Sequence, residues 1–98
     1  MRFEWGAAKS RINQRKHNGL DFETAARVFK DASIVLLEYR IVEGEKRWHA
    51  IGAVSAALLL VVHVYREDEV DDEEIIRIIS AREANQRERR IYLQQAAE

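Results

Sequence analysis

Residues 45–66 read EKRWHAIGAVSAALLLVVHVYR. Two stretches of strand length, EKRWHAIGAV and LLLVVHVYR, are dominated by β-branched, aliphatic and aromatic residues, a composition that suits half-buried strands. Ser55-Ala56-Ala57 between them has room only for a hairpin turn, yet it lacks the usual glycine, asparagine or aspartate. The pattern repeats outward on both sides. SIVLLEY (residues 33–39) precedes, joined through a turn at Glu43-Gly44-Glu45, and EIIRIIS (residues 74–80) follows the acidic EDEVDDEE (residues 67–74). Four successive strands with short links predict an antiparallel meander.

The flanks read as helices. RFEW (residues 2–5) suits a short first strand, and a helix is expected from Gly6 to about His17. Ala8, Ile12 and Trp5 fall on its apolar side, with Lys9, Asn13, Lys16 and His17 on the opposite arc. Asn18-Gly19 breaks that helix, and Asp21 is placed to cap a second one, FETAARVF (residues 22–29). Ser80 and Glu83 form the pattern of a capping box that opens a last helix. There Arg82, Asn85, Arg89 and Tyr92 share a face, and Ala84, Glu88 and Ile91 make a thin apolar stripe. The expected class is α+β: a four- or five-stranded antiparallel sheet, two N-terminal helices and one C-terminal helix, as one domain over residues 1–98.

Composition bounds the function. With 47% hydrophobic and 34% charged residues, a folded domain is expected rather than disorder. There is no cysteine, which removes disulfides, thiolate metal sites and a cysteine nucleophile. The longest apolar run, residues 50–62, is shorter than the roughly 20 residues of a membrane helix. The N-terminal MRFEWGAAKS lacks the apolar core of a secretory signal, so a cytoplasmic protein with no membrane partner is expected.

Net charge is −1, but it is segregated: +4 over residues 1–30, −7 over residues 31–74 and +2 over residues 75–98. A basic face on a weakly acidic protein follows if the two ends meet in space. EDEVDDEE reads as an exposed, mobile loop.

The motifs of several chemistries are missing. There is no phosphate-binding glycine loop, no H-E-x-x-H and no G-x-S-x-G. His17, His49 and His63 lie in different elements without metal-ligand spacing. What remains is arginine on strands. Alternation puts Glu45, Arg47, His49 and Ile51 on one face, and Ile75, Arg77 and Ile79 on one face of the last strand. If Arg47 and Arg77 come from neighbouring strands and point together, they form an anion site. A site of that kind suits metal-free RNA cleavage, in which a 2′-hydroxyl attacks the adjacent phosphate and guanidinium groups stabilise the growing charge. The proton carrier is left open between His17, His63, a lysine and a tyrosine. Each has a plainer reading: His63 as a half-buried packing residue, Tyr92 and Trp48 as anchors, Lys16 as a solvated cation.

Several strings resemble the BrnT family of toxins: N-x-x-K-H (Asn13–His17), FETAARVF, GEKRWHAIG, and RIISAR followed by E-R-R-x-Y (Glu88–Tyr92). The similarity runs in order from Phe3 to Tyr92. It implies a RelE-like fold and a ribonuclease that arrests translation. It also implies a ribbon-helix-helix, BrnA-like antitoxin in a heterotetramer that reaches operator DNA only through the antitoxin, and it implies no cofactor. By motif it points to Lys16, His17, Arg47 and Arg77 as catalytic, and Arg82 comes from R-I-I-S-A-R. Lys9, His63, Arg82, Arg89 and Tyr92 are the expected RNA contacts. The sequence departs from the family at Gly6 (usually Asp), at the added Asn18, at Asn85 (usually Thr), at the glycine-free turn and at the long acidic loop. The competing reading is a non-catalytic interaction module or an inactive toxin homologue. Direct DNA binding is disfavoured by the absence of a helix-turn-helix pattern.

Overall fold

The computed structural model describes residues 1–96. Among these residues the order is β1 (Arg2–Glu4), α1 (Ala7–Lys16), α2 (Phe22–Ala26), a 3-10 turn (Arg27–Lys30), β2 (Val35–Val42), β3 (Glu45–Val54), β4 (Ala57–Glu67), β5 (Glu74–Glu83) and α3 (Gln86–Ala96). The strands form one sheet in the order β1-β5-β4-β3-β2. The expected antiparallel meander is β2 to β5. The sheet as a whole is mixed, because β1 runs parallel to β5, with Phe3 opposite Ile76. No hairpin joins β1 to its neighbour, so turn geometry does not dictate its direction.

Turn chemistry explains the hairpins. Glu43 and Gly44 both take positive φ, 52° and 78°, as a two-residue type I′ turn requires. The glycine-free turn closes with Ser55 at φ 54°. Asp21 caps α2 as expected, accepting from the Thr24 N–H at 2.7 Å. The FETAARVF helix is shorter than expected, since it tightens into the 3-10 turn after Ala26.

Each face of the sheet is covered differently. Phe22, Ala25 and Val28 pack on Ala50, Val54, Leu59, Val61, Ile78 and Ala81. On the other face Ala84, Ile91 and Tyr92 pack against Val35, Ile51, Leu58 and Leu60. Gly52 permits the first layer to close: a Cβ there would lie 2.7 Å from Val28 Cγ1.

α1 sits the other way round from its helical pattern. Ile12 is 45% exposed and Asn13 is buried. The Asn13 side chain donates to the carbonyls of Ala81 (2.9 Å) and Leu20 (3.0 Å) and accepts from the Ala81 N–H (3.1 Å). β1 covers β5 only from Ile75 to Arg77, and beyond that the Asn13 amide stands in for a neighbouring strand. On the opposite side Asp31 does the same for β3 above the start of β2, accepting from the Ala53 N–H at 2.8 Å.

The last helix also starts later than its capping pattern suggested. Ser80 to Glu83 remain in β5, because pairing with β4 continues to Leu59–Glu83. The box that forms is Asn85 with Glu88: the Glu88 N–H donates to Asn85 Oδ1 and the Asn85 N–H to Glu88 Oε1, both at 2.9 Å. Both quartets fit the motif, and strand pairing decides between them. Arg82 is therefore a strand residue and shares no helix face with Arg89 and Tyr92. The acidic loop is held in place. Asp68 and Asp71 accept from the Val70 and Glu73 N–H groups, and Arg2 pairs with Asp68 and Glu73. This contact draws the basic N-terminus to the acidic middle of the chain.

Two outcomes test this packing. Asn13→Ala strands the buried Ala81 N–H and C=O, and chemical denaturation is expected to show a loss of about 2–4 kcal/mol; a loss below about 0.5 kcal/mol contradicts the edge-closing role. His63 is fully buried, and burial lowers its pKa to about 4 against about 6.5 unfolded. Its contribution is therefore intact above pH 6.5 and lost as pH falls towards 4, by up to about 3 kcal/mol. His63→Leu is expected to flatten stability over that window; an unchanged slope rejects the assignment.

Candidate active face

Cross-strand partners share a face of the sheet, so the register identifies which side chains come together. Arg77 lies opposite Val64, and Arg40 lies opposite Arg47. One step beyond the Trp48–His63 pair, the register of β3 and β4 puts Arg47 beside Val64. Arg40, Arg47, Val64, Arg77 and Glu4 thus form one row across all five strands. Arg47 and Arg77 do share a face, as expected from sequence. They are not on neighbouring strands, however, because β4 separates them, at roughly 10 Å for two strand spacings.

Two β-bulges shape this face. The partners of Val62 and His63 are Ser80 and Ile78, so Ile79 is an extra, unpaired residue in β5. As a result Arg82, five residues from Arg77, shares its face. In β2 the register skips Tyr39, between Glu38 opposite Trp48 and Arg40 opposite Arg47. Without that skip Arg40 would face the helical layer. Bulges re-aim side chains in this way, often beside functional sites.

Carboxylates already occupy part of the face. Arg77 pairs with Glu4 at 3.0 Å, and Arg66 with Glu4 and Glu45. Arg82 forms a two-pronged pair with Glu88 at 2.8 and 2.9 Å. The Arg82 hydrogen bonds hold the Glu88 carboxyl below its ordinary pKa, with the Asn85 N–H adding to the effect against burial. Arg40 lies 4.8 Å from the Tyr39 ring centroid. None of the ion pairs among the described residues includes Arg40 or Arg47. The Arg47 Nε is buried and has no hydrogen-bond partner.

The other expected catalytic residues lie elsewhere. Lys16 and His17 close α1, which packs with the opposite layer, and they line a cleft of about 520 Å³ together with Leu20, Thr24, Leu59 and Arg82. The expected quartet is thereby split between the two sides of the sheet. Lys9 borders a smaller hollow next to Lys16, His17 and Ser80. The two basic surfaces approach each other at the outer edge of β5, around Ser80 to Arg82.

The expected RNA contacts fare unevenly. His63 is wholly enclosed, with its ring edge-on to Phe29 and Tyr65 at 4.9 Å. A side chain with no exposed surface makes no contact with RNA, which corrects that expectation. Strand alternation turned His63 inward, and a histidine within an apolar run gives no sign of which way it faces. Tyr92 is an anchor: its hydroxyl donates to Asp31 at 2.7 Å and its ring packs with α3 on the sheet. Burial alone would raise the Asp31 pKa, but hydrogen bonds from Tyr92, Ala53 and Ser33 outweigh it and lower it. Arg89 is exposed on α3.

His49 was missing from the expected site. It shares the arginine face, and its ring stacks on Tyr39 with centroids 4.1 Å apart and 25° between planes. The signal was available: His49 stands two residues from Arg47 on the same strand. Among the described residues no three His, Asp or Glu side chains cluster as metal ligands, and no helix is long and apolar enough to cross a membrane.

No curated protein matches the chain at a significant level. The profile of a family described as the ribonuclease toxin, BrnT, of type II toxin–antitoxin systems matches residues 5–88. That span takes in α1, the five-residue α2, β2 to β5 with both bulges, and the Arg82–Glu88 pair. By the extent of that match, the chain belongs to the BrnT family of type II toxin–antitoxin ribonuclease toxins.

Proposed function

We propose that this chain is a metal-independent endoribonuclease of RelE-like fold that acts in the cytoplasm, cuts RNA and thereby arrests translation. The observation that carries this reading is the row Arg40–Arg47–Val64–Arg77. A bulge sets Arg40 directly across from Arg47. Like charges placed opposite each other destabilise a sheet, so the arrangement favours an anionic occupant. Arg47 and Arg77 hold the scissile phosphate and stabilise the phosphorane as its charge rises. Arg77 exchanges Glu4 for that phosphate. Lys9, Lys16, His17, Arg82 and Arg89 carry backbone contacts along the strand as it passes over the β5 edge.

A ribbon-helix-helix, BrnA-like antitoxin silences the enzyme by covering this face. The heterotetramer reaches operator DNA through the antitoxin. A second reading, a non-catalytic interaction module, draws on the ion pairs that already satisfy Arg77 and Arg82.

Tightly controlled induction of the wild type and of Arg77→Ala at matched protein level separates the two. Growth arrest by the wild type alone is expected, with cleavage in vitro reduced about 100- to 1,000-fold in the variant. Cleavage is expected to persist in EDTA and to leave 2′,3′-cyclic or 3′-phosphate ends. Loss of cleavage in EDTA rules out metal independence. If neither protein slows growth while both fold, the interaction module is the better account.

A further inference from the structure

His17 lies on the far side of the sheet and His63 is enclosed in the core, so His49 is the histidine on the arginine face. We propose that His49 is the general base of the cleavage, taking the proton of the attacking 2′-hydroxyl while Arg47, two residues away on the same strand face, holds the phosphate. This assignment rests on the ribonuclease reading above and adds its proton carrier.

Geometry fixes the ring. Tyr39, the bulge residue that turns Arg40 onto the face, also forms the platform on which His49 stacks. The charged and titratable groups around the ring are Tyr39 and Arg40 from β2, Arg47 on its own strand, Arg82 from β5 and Glu88 from α3, with His63 behind the sheet. Burial lowers the His49 pKa; Glu88 opposes that shift, and Arg82 and Arg40 reinforce it. The ring is therefore neutral near pH 7, the state a base requires. Both Glu88 oxygens already accept hydrogen bonds, from Arg82 and from the Asn85 N–H, which leaves the imidazole as the uncommitted base on this face.

In the reaction the 2′ oxygen bonds to phosphorus as its proton passes to the imidazole. The P–O5′ bond breaks, and the 5′ oxygen takes a proton from solvent water. The hydroxide left behind recovers the proton from the imidazolium, which restores the ring. The products are a 2′,3′-cyclic phosphate and a free 5′-hydroxyl.

The test is the pH–rate profile of the purified chain on a labelled RNA oligonucleotide, for wild type and His49→Gln, with melting curves to compare folding. Wild-type rate is expected to fall with unit slope on the acid side. His49→Gln should lose about 100- to 1,000-fold and lose that acid limb. Added imidazole should restore part of the activity of His49→Ala, which separates loss of a proton carrier from loss of fold. A His49→Gln rate within about threefold of wild type, or a surviving acid limb, overturns the assignment and leaves the ribonuclease reading standing. A wild type that does not cut RNA at all overturns both.

Discussion

The Asn13 amide is the constraint on which the arrangement of this protein depends. A sheet edge exposes unpaired N–H and C=O groups, and β1 is too short to cover β5 beyond Arg77. Asn13 completes the edge at Ala81 with one donor and one acceptor, and its second amide proton ties down the Leu20 carbonyl. One side chain thus fixes the end of α1 to the sheet and to the turn that follows. Lys16 and His17, three and four residues on, are delivered to the cleft beside Arg82 by this contact. Asp31 does comparable work on the other side, binding the Ala53 N–H and the Tyr92 hydroxyl, so that α3 is anchored to the same rim.

With its edges closed by side chains, the sheet can tolerate irregularity inside. Each bulge interrupts a ladder and gives up regular pairing. In exchange, Ile79 brings Arg82 onto the face of Arg77, and Tyr39 brings Arg40 onto the face of Arg47 and His49. The face that results is not optimal for folding. Two arginines stand opposite each other, and a buried Arg47 Nε has no partner. Buried donors without partners are rare in folded proteins.

Much of the scaffold was legible in the sequence because it is written in local terms. Strand composition marked β2 to β5, a Glu-Gly pair supplied the type I′ turn, and Asp21 three residues before Thr24 announced its own cap. The site was less legible, because a bulge is a property of two strands. Nothing in RIISAR alone says that Ile79 is the extra residue, and simple alternation puts Arg77 and Arg82 on opposite faces. Asn13 was misplaced for a related reason. Helical periodicity counts an asparagine as polar and turns it to solvent, whereas its amide was needed at a distant backbone. Ser80-Ala81-Arg82-Glu83 and Asn85-Gln86-Arg87-Glu88 are both valid capping boxes, and only pairing with β4 chooses between them. The family resemblance supplied Lys16, His17, Arg47, Arg77 and Arg82 as a set, but a motif set carries no statement about which side of a sheet each residue occupies.

The internal carboxylates bear on how the arginine face works. Glu4 bridges Arg77 and Arg66, and Glu88 grips Arg82, so the unliganded protein balances most of this charge itself. In the proposed ribonuclease, phosphate binding at Arg77 exchanges one anion for another, and its net gain is smaller than that of an unpaired cation. Arg40 and Arg47 differ, since no carboxylate pairs with them among the described residues. A phosphate that arrives there relieves the repulsion between them as well as making new contacts. In the proposed ribonuclease the energetic centre of the row is the Arg40–Arg47 pair, and Arg77 joins it by letting go of Glu4. On the proposed reading, this is how a protein with a net charge of −1 presents a face suited to RNA. What matters is the local imbalance that the Tyr39 bulge creates between Arg40 and Arg47, and the average over the chain conceals it.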